Sequence, residues 1–135
     1  MTDLINAKRS LNAHSITLCR GDKVITDDGR GIAPIMKLIE DGVDLKGFCV
    51  ADTVVGKAAA MLFAREGITG VYGKVMSLSA KKYLEEHGIY CEWESLTEKI
   101  INRAGTDICP MEKTVLNIED YNEAYEALKK KLSEI

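Results

Sequence analysis

The segment Gly47-Phe48-Cys49-Val50-Ala51-Asp52-Thr53-Val54-Val55-Gly56-Lys57-Ala58-Ala59-Ala60-Met61-Leu62-Phe63-Ala64-Arg65-Glu66-Gly67-Ile68-Thr69-Gly70-Val71-Tyr72-Gly73 decides the fold. It reads as a strand, a polar turn, an apolar helix and a second strand, with the polar residues gathered at the start of the helix. The run Ala58 to Ala64 is apolar on nearly all sides, which predicts a helix buried all round. A strand feeding directly into a helix leaves the first helical N–H groups without intrahelical partners, and the helix dipole adds partial positive charge there. Gly56 and Lys57 reinforce that start as a place for an anion.

The flanking segments extend the alternation. Leu4, Ile5, Lys8 and Leu11 share one face of a first helix, and Ser15 to Arg20 alternates as a strand. Gly21-Asp22 reads as a two-residue hairpin turn into Lys23 to Thr26. The cluster Asp27 to Gly31 breaks that strand, and Ile32, Ile35, Met36 and Ile39 have the spacing of an amphipathic helix with Pro34 in its first turn. Asp41-Gly42 closes it. Beyond the central segment, Ser79 is expected to cap a fourth helix carrying Tyr83 and Leu84 inward, with His87-Gly88 at its end. Ile89 to Glu94 makes a fifth strand. Ser95 and Glu98 have capping-box spacing and predict a short helix over Ile100 to Ala104 ended by Gly105. Thr106 to Lys113 reads as a loop, and Tyr121, Ala124, Tyr125, Leu128 and Leu132 mark a last amphipathic helix. Strands that alternate with helices force part of the sheet to be parallel, with helices on both faces. A three-layer α/β/α sandwich around a five-stranded mixed sheet is expected, as one domain over residues 1–135.

Composition sets the limits on function. With 135 residues and 46% hydrophobic content the chain can bury a core without staples. A net charge of −3 supplies no basic field for duplex nucleic acid, and Lys129, Lys130 and Lys131 read as the solvated face of the last helix. The run Ala58 to Ala64 is too short to span a membrane, and Met1 to Leu4 lacks the charged and apolar regions of a secretion signal. A cytoplasmic protein is expected. Cys19, Cys49, Cys91 and Cys109 are widely spread with no CxxC pair, a pattern of thiols in a reducing compartment. His14 and His87 are far from each other and from any cysteine pair, so no zinc site is expected; no cofactor is expected either.

Two sets of residues carry a resemblance. The order of elements resembles the cytidine-deaminase-like fold, in which the central strand runs into a helix bearing proline-cysteine-x-x-cysteine. Aligned this way, Asp52 to Lys57 replaces the zinc-binding cysteines, Gly67 to Gly73 matches the next turn and strand, and Gly29-Arg30-Gly31-Ile32-Ala33-Pro34 falls where deaminases carry histidine-x-glutamate. Neither metal motif survives, and zinc-hydroxide deamination needs ligands and glutamate together. The resemblance implies the scaffold without the activity. The chain is similar in more detail to a small, functionally uncharacterised prokaryotic family with this fold and no zinc ligands. That likeness runs from residue 11 to residue 132, most visibly at Gly29 to Pro34, Ala51 to Ala60 and Ile108 to Lys113.

In the deaminase-like fold two helix starts converge on one pocket. Here they would present Gly29, Arg30 and Gly31 on one side and Asp52, Thr53, Gly56 and Lys57 on the other. Such a set suits a small anionic or nucleotide-like ligand, with Asp52 as acid, base or hydroxyl acceptor, Arg30 and Lys57 as anion partners, and the glycines allowing close backbone approach. Ala51 to Ala58 is a near miss to a P-loop, since Ala51 stands at its first glycine and Ala58 at its magnesium-binding hydroxyl. The plain alternatives are a flexible loop at Gly29 to Gly31, a helix cap at Asp52 or Thr53, and an exposed charge at Lys57. Cys109, in a polar loop before Pro110, is the candidate nucleophile if the loop folds over the pocket. Cys19, Cys49 and Cys91 read as packing residues, His14 and His87 as caps at helix ends, and Trp93 as core or a subunit contact in a homo-oligomer. The leading functional expectation is a metal-free pocket for such a ligand, with or without catalysis. The alternative is a non-catalytic sensor or interaction domain on the same scaffold.

Overall fold

The computed structural model describes residues 2–102 and 104–134. Its elements follow the order α1 (Thr2–Leu11), β1 (Ile16–Arg20), β2 (Lys23–Asp27), α2 (Ala33–Glu40), β3 (Cys49–Val55), α3 (Lys57–Arg65), β4 (Gly70–Ser77), α4 (Leu78–Glu86), β5 (Tyr90–Thr97), α5 (Pro110–Val115) and α6 (Tyr121–Ser133). The strands make one open sheet in the order β2-β1-β3-β4-β5. β1 runs antiparallel to β2 and β3, while β3, β4 and β5 are parallel. The hairpin accounts for the antiparallel part. The two parallel pairs need crossovers, which α3 and α4 supply.

Helices lie on both faces, unevenly. α1 alone packs on β1, β3 and β4, closing a small core of Ala7, Leu11, Cys19 and Ala51. The crossovers from β3 to β4 and from β4 to β5 step the same way across the sheet, and consecutive crossovers of one hand put α3 and α4 together on the opposite face. There α3 is wrapped by α2, α4, α5 and α6, and every residue from Lys57 to Phe63 is buried. This is the all-apolar helix that the Ala58 to Ala64 run predicts.

Three local expectations are corrected. α4 is capped by Ser77, whose Oγ accepts from the Ala80 N–H at 3.1 Å, and not by Ser79, which lies inside the helix. Ser95 and Glu98 form no capping box, because β5 continues through Ser95, Leu96 and Thr97 paired with Val75, Met76 and Ser77. The described residues between Ile100 and Cys109 form a tight antiparallel excursion instead of a helix: Ile101 bridges Ile108, the Asn102 N–H donates to the Asp107 carbonyl, and Gly105 turns at φ 71°. Arg103 of that stretch lies outside the described residues. The loop expected over Thr106 to Lys113 ends early, since Pro110 opens α5 with Cys109 as its cap residue. Proline fits a first helical turn because its missing N–H has no intrahelical acceptor there.

Candidate functional site

The carboxyl end of β3 is where the candidate residues meet. Side chains of β3 face the main core at Val50 and Val55, yet Val54 between them and the clefts is exposed, so strict alternation breaks at the end of the strand. The ladder to β4 passes from Asp52 opposite Gly73 to Val54 opposite Val75 without a Thr53–Lys74 pair. Gly73 allows this crowding: a Cβ there would lie 3.0 Å from Cγ2 of Val55. Thr53 and Val54 thereby stand clear of the core, with a cleft on either side of them.

The cleft on the α2 side has a volume of about 210 Å³ and is lined by Ser15, Asp28, Gly29, Arg30, Gly31, Asp52, Thr53 and Val54. Five of the residues picked out in the sequence therefore come together: Gly29, Arg30, Gly31, Asp52 and Thr53. The turn opposite Asp52 is held by an Asx contact, the Gly29 N–H donating to Oδ1 of Asp27 at 2.7 Å, and Gly31 takes a positive φ of 56°. Asp52 is only 7% exposed and faces no cation within ion-pairing distance among the described residues. Its Oδ1 accepts only a long bond, 3.5 Å, from the Val54 N–H. Burial pushes the carboxyl up to about 7, against the opposing pull of the Val54 and Thr53 groups. A carboxyl poised there can donate or accept a proton near neutrality.

A smaller, apolar pocket of about 70 Å³ adjoins this cleft, sharing Gly31 and Val54. Gly56 and Cys109 line it together with Ile100 and Met111. Ile100 and Cys109 share this pocket with Gly56 at the start of α3, and Cys109 is half-buried, its N–H donating to the Ile100 carbonyl at 2.9 Å.

The start of α3 is not open. Glu112, which sequence reasoning missed, bonds it with both oxygens: the Lys57 N–H donates to Oε1 at 2.7 Å and the Ala58 N–H to Oε2 at 2.8 Å. Neither Asp52 nor Thr53 caps this helix; the N-cap is Gly56, without a side-chain bond. The Glu112 carboxylate thus fills the anion position expected for a ligand. Burial pushes the Glu112 carboxyl up, opposed by those N–H groups and by Lys57. The available sequence signal was Pro110-Met111-Glu112, a proline-led helix start with an acidic residue in its first turn.

Lys57 is also placed differently from its reading as an exposed anion partner. It is 8% exposed and lines neither of these spaces. Its Nζ donates to the Leu116 carbonyl at 3.3 Å and to Oε1 of Glu119 at 3.2 Å, tying α3 to the α5–α6 connection. His87 caps α4 through Nδ1, 2.9 Å from the Tyr83 carbonyl, whereas the His14 ring pairs with Asp28 at 2.8 Å. Trp93 is half-buried against the main core, with Lys81 over its ring at 5.5 Å.

Residues 6–132 match the model of a family described as TM1506, a domain of unknown function (DUF1893), and the chain belongs to that family. It is similar to the crystal structure of a DUF1893 family protein (TM1506) from Thermotoga maritima, at 25% identity and a TM-score of 0.87, covering 97% of this chain and 91% of that one. No curated protein matches it.

Proposed function

We propose that this member of the DUF1893 family is a metal-free small-molecule-binding protein whose ligand, nucleotide-like or otherwise anionic, enters the cleft between the Gly29 to Gly31 turn and Asp52 to Val54. The observation that carries this reading is Asp52: a carboxyl 7% exposed, lining the cleft, with one long backbone bond and no cationic partner among the described residues. Burying such a group without a compensating partner costs stability, and groups of this kind cluster at functional sites. In this reading Asp52 hydrogen-bonds a hydroxyl, amide or amine of the ligand and exchanges a proton with it. Arg30 at the rim takes the anionic end, and the glycine turn lets the ligand lie against backbone. The turn before α2 on one side of the cleft and the end of β3 on the other support a deaminase-like scaffold emptied of its metal chemistry. The thiols of four unpaired cysteines suit a cytosolic setting.

The occupation of the α3 start by Glu112 and the turning away of Lys57 favour a second reading, in which the domain binds or senses without catalysis. Both readings share the cleft. A thermal-shift screen of nucleotides, nucleosides and organic acids against wild type and Asp52→Asn tests it: a ligand at 100 times its dissociation constant stabilises by about 2.7 kcal/mol. A hit lost in Asp52→Asn supports the cleft. Hits unaffected by Asp52→Asn and by Arg30→Ala would remove it. Turnover of a hit then separates enzyme from sensor.

A further inference from the structure

On the other side of Thr53, beneath the end of α1, lies a second cleft of about 240 Å³. Lys8, Asn12, His14, Thr53, Tyr72 and Lys74 line it, and no carboxylate does among the described residues. This lining is the reverse of the Asp52 cleft, where Asp28 and Asp52 face a single Arg30, and it stands out in a chain of net charge −3. Two of its lining side chains are held by neighbours. Lys8 donates to Oε1 of Glu92 at 2.9 Å and lies 4.8 Å from the centroid of the Tyr72 ring, while Tyr90 donates to the other Glu92 oxygen at 2.7 Å. The His14 ring is steadied by Asp28 at 2.8 Å. Lys74 is exposed and has no ion-pair partner among the described residues.

An ammonium offers three donors, so Glu92 leaves two of Lys8 available and all three of Lys74 remain. The Asn12 amide and the Tyr72 hydroxyl add neutral donors around the same space. We propose that this cleft is a binding site for the oxyanion of a small molecule, a phosphate or carboxylate group, with Lys74 as its uncompensated cation and Lys8 as its positioned one. The site is separate from the Asp52 cleft, although Thr53 lines both and the His14–Asp28 pair forms the wall between them.

The test is a titration of the intact chain with inorganic phosphate and, separately, with acetate, at constant ionic strength and followed by backbone amide NMR shifts. Saturable shifts centred on Lys8, Asn12, Thr53 and Lys74 are expected. Lys74→Met should weaken binding by about tenfold or more, as loss of a charge-assisted bond does, while Lys37→Met on the exposed side of α2 leaves it unchanged. Lys74 is exposed, so the variant folds, and Lys74→Glu should abolish binding. Phosphate tighter than acetate assigns a phosphate-bearing ligand; acetate equal or tighter assigns a carboxylate. Saturable shifts at Lys8, Asn12 and Lys74 are expected whether or not any ligand of the Asp52 cleft is found, which separates failure of this site from failure of that one. Shifts that never saturate, shifts spread equally over Lys129, Lys130 and Lys131, or a Lys74→Met chain that binds as wild type would overturn the proposal.

Discussion

A Cβ on residue 56 would lie 2.5 Å from both Cδ and Oε1 of Glu112, so the glycine and the carboxylate occupy complementary space. The backbone of Gly56, at φ −100° and ψ −179°, is open to any residue, which leaves the carboxylate as the only reason for a bare Cα. The start of α3, the most buried helix, is thereby closed by a side chain from α5.

Gly56→Ala should displace the Glu112 carboxylate and cost about 2–3 kcal/mol, the scale of losing hydrogen bonds to a charged group. Glu112→Ala should cost a similar amount, and the double variant little more than either alone, because both remove the same contact. Urea denaturation of the three variants measures this. A Gly56→Ala chain as stable as wild type, or strictly additive costs, would show that the contact contributes nothing.

The stability of the chain should fall with rising pH through Asp52. Its native carboxyl, raised by burial to about 7 from an ordinary 3.8, binds its proton more tightly folded than unfolded. Its contribution is therefore full below the ordinary value and is lost as pH rises to about 7. Relative to Asp52→Asn, wild type should lose up to about 4 kcal/mol across that window and be the less stable chain at pH 8. Denaturant midpoints measured from acid to mildly alkaline pH decide it; parallel profiles for the two chains would contradict the burial of an unpaired carboxyl.

Much of this arrangement is legible in local sequence. The Gly21-Asp22 turn, the apolar run from Ala58 and the alternation around them carry the hairpin, the buried helix and the mixed sheet, because turn chemistry and periodicity act over a few residues. The stretch from Ser95 to Val115 is not legible in that way. β5 runs on through Ser95 to Thr97 because β4 pairs with it, and a polar edge strand has no apolar alternation to announce itself. α5 spans six residues, too few for a periodic face, so Pro110 and Glu112 were its only marks. The roles of Glu112 and Lys57 are settled by contacts 54 to 62 residues apart in the chain, which no local pattern encodes.

Lys57→Ala should destabilise the fold, not merely alter its surface. The side chain is 8% exposed, its stem packed and its Nζ satisfied by the Leu116 carbonyl and Glu119. Truncation removes packing and leaves a carbonyl without its partner, at about 2 kcal/mol. Glu119→Gln should cost well under about 1 kcal/mol, since the Glu119 side chain is 76% exposed and its pairing is screened. Lys57→Met, which keeps the stem, should fall between the two. Equal costs for Lys57→Ala and Glu119→Gln would mean that the ion pair alone accounts for the lysine.

Alkylation should separate the four thiols. Cys19 and Cys49 are buried on opposed strands, and Cys19 is pushed up by burial, with Asp3 and Cys49 adding to it. Cys91 is half-buried in β5 but is likewise pushed up, first by burial and then by Glu85, which depletes its thiolate. Cys109 is half-buried as well, yet it sits at the cap of α5 on the rim of the small pocket beside Gly31 and Val54. Reactivity follows thiolate fraction and access together, so iodoacetamide at neutral pH should label Cys109 first, Cys91 next, and Cys19 and Cys49 only on unfolding. Mass mapping of a labelling time course reads the order directly. Because Cys109 shares its pocket walls with the Asp52 cleft, a ligand bound there should also slow its labelling and leave that of Cys91 unchanged. If Cys91 were modified ahead of Cys109, the thiol would have no place in the site, and chemistry at this cleft would rest on Asp52 alone.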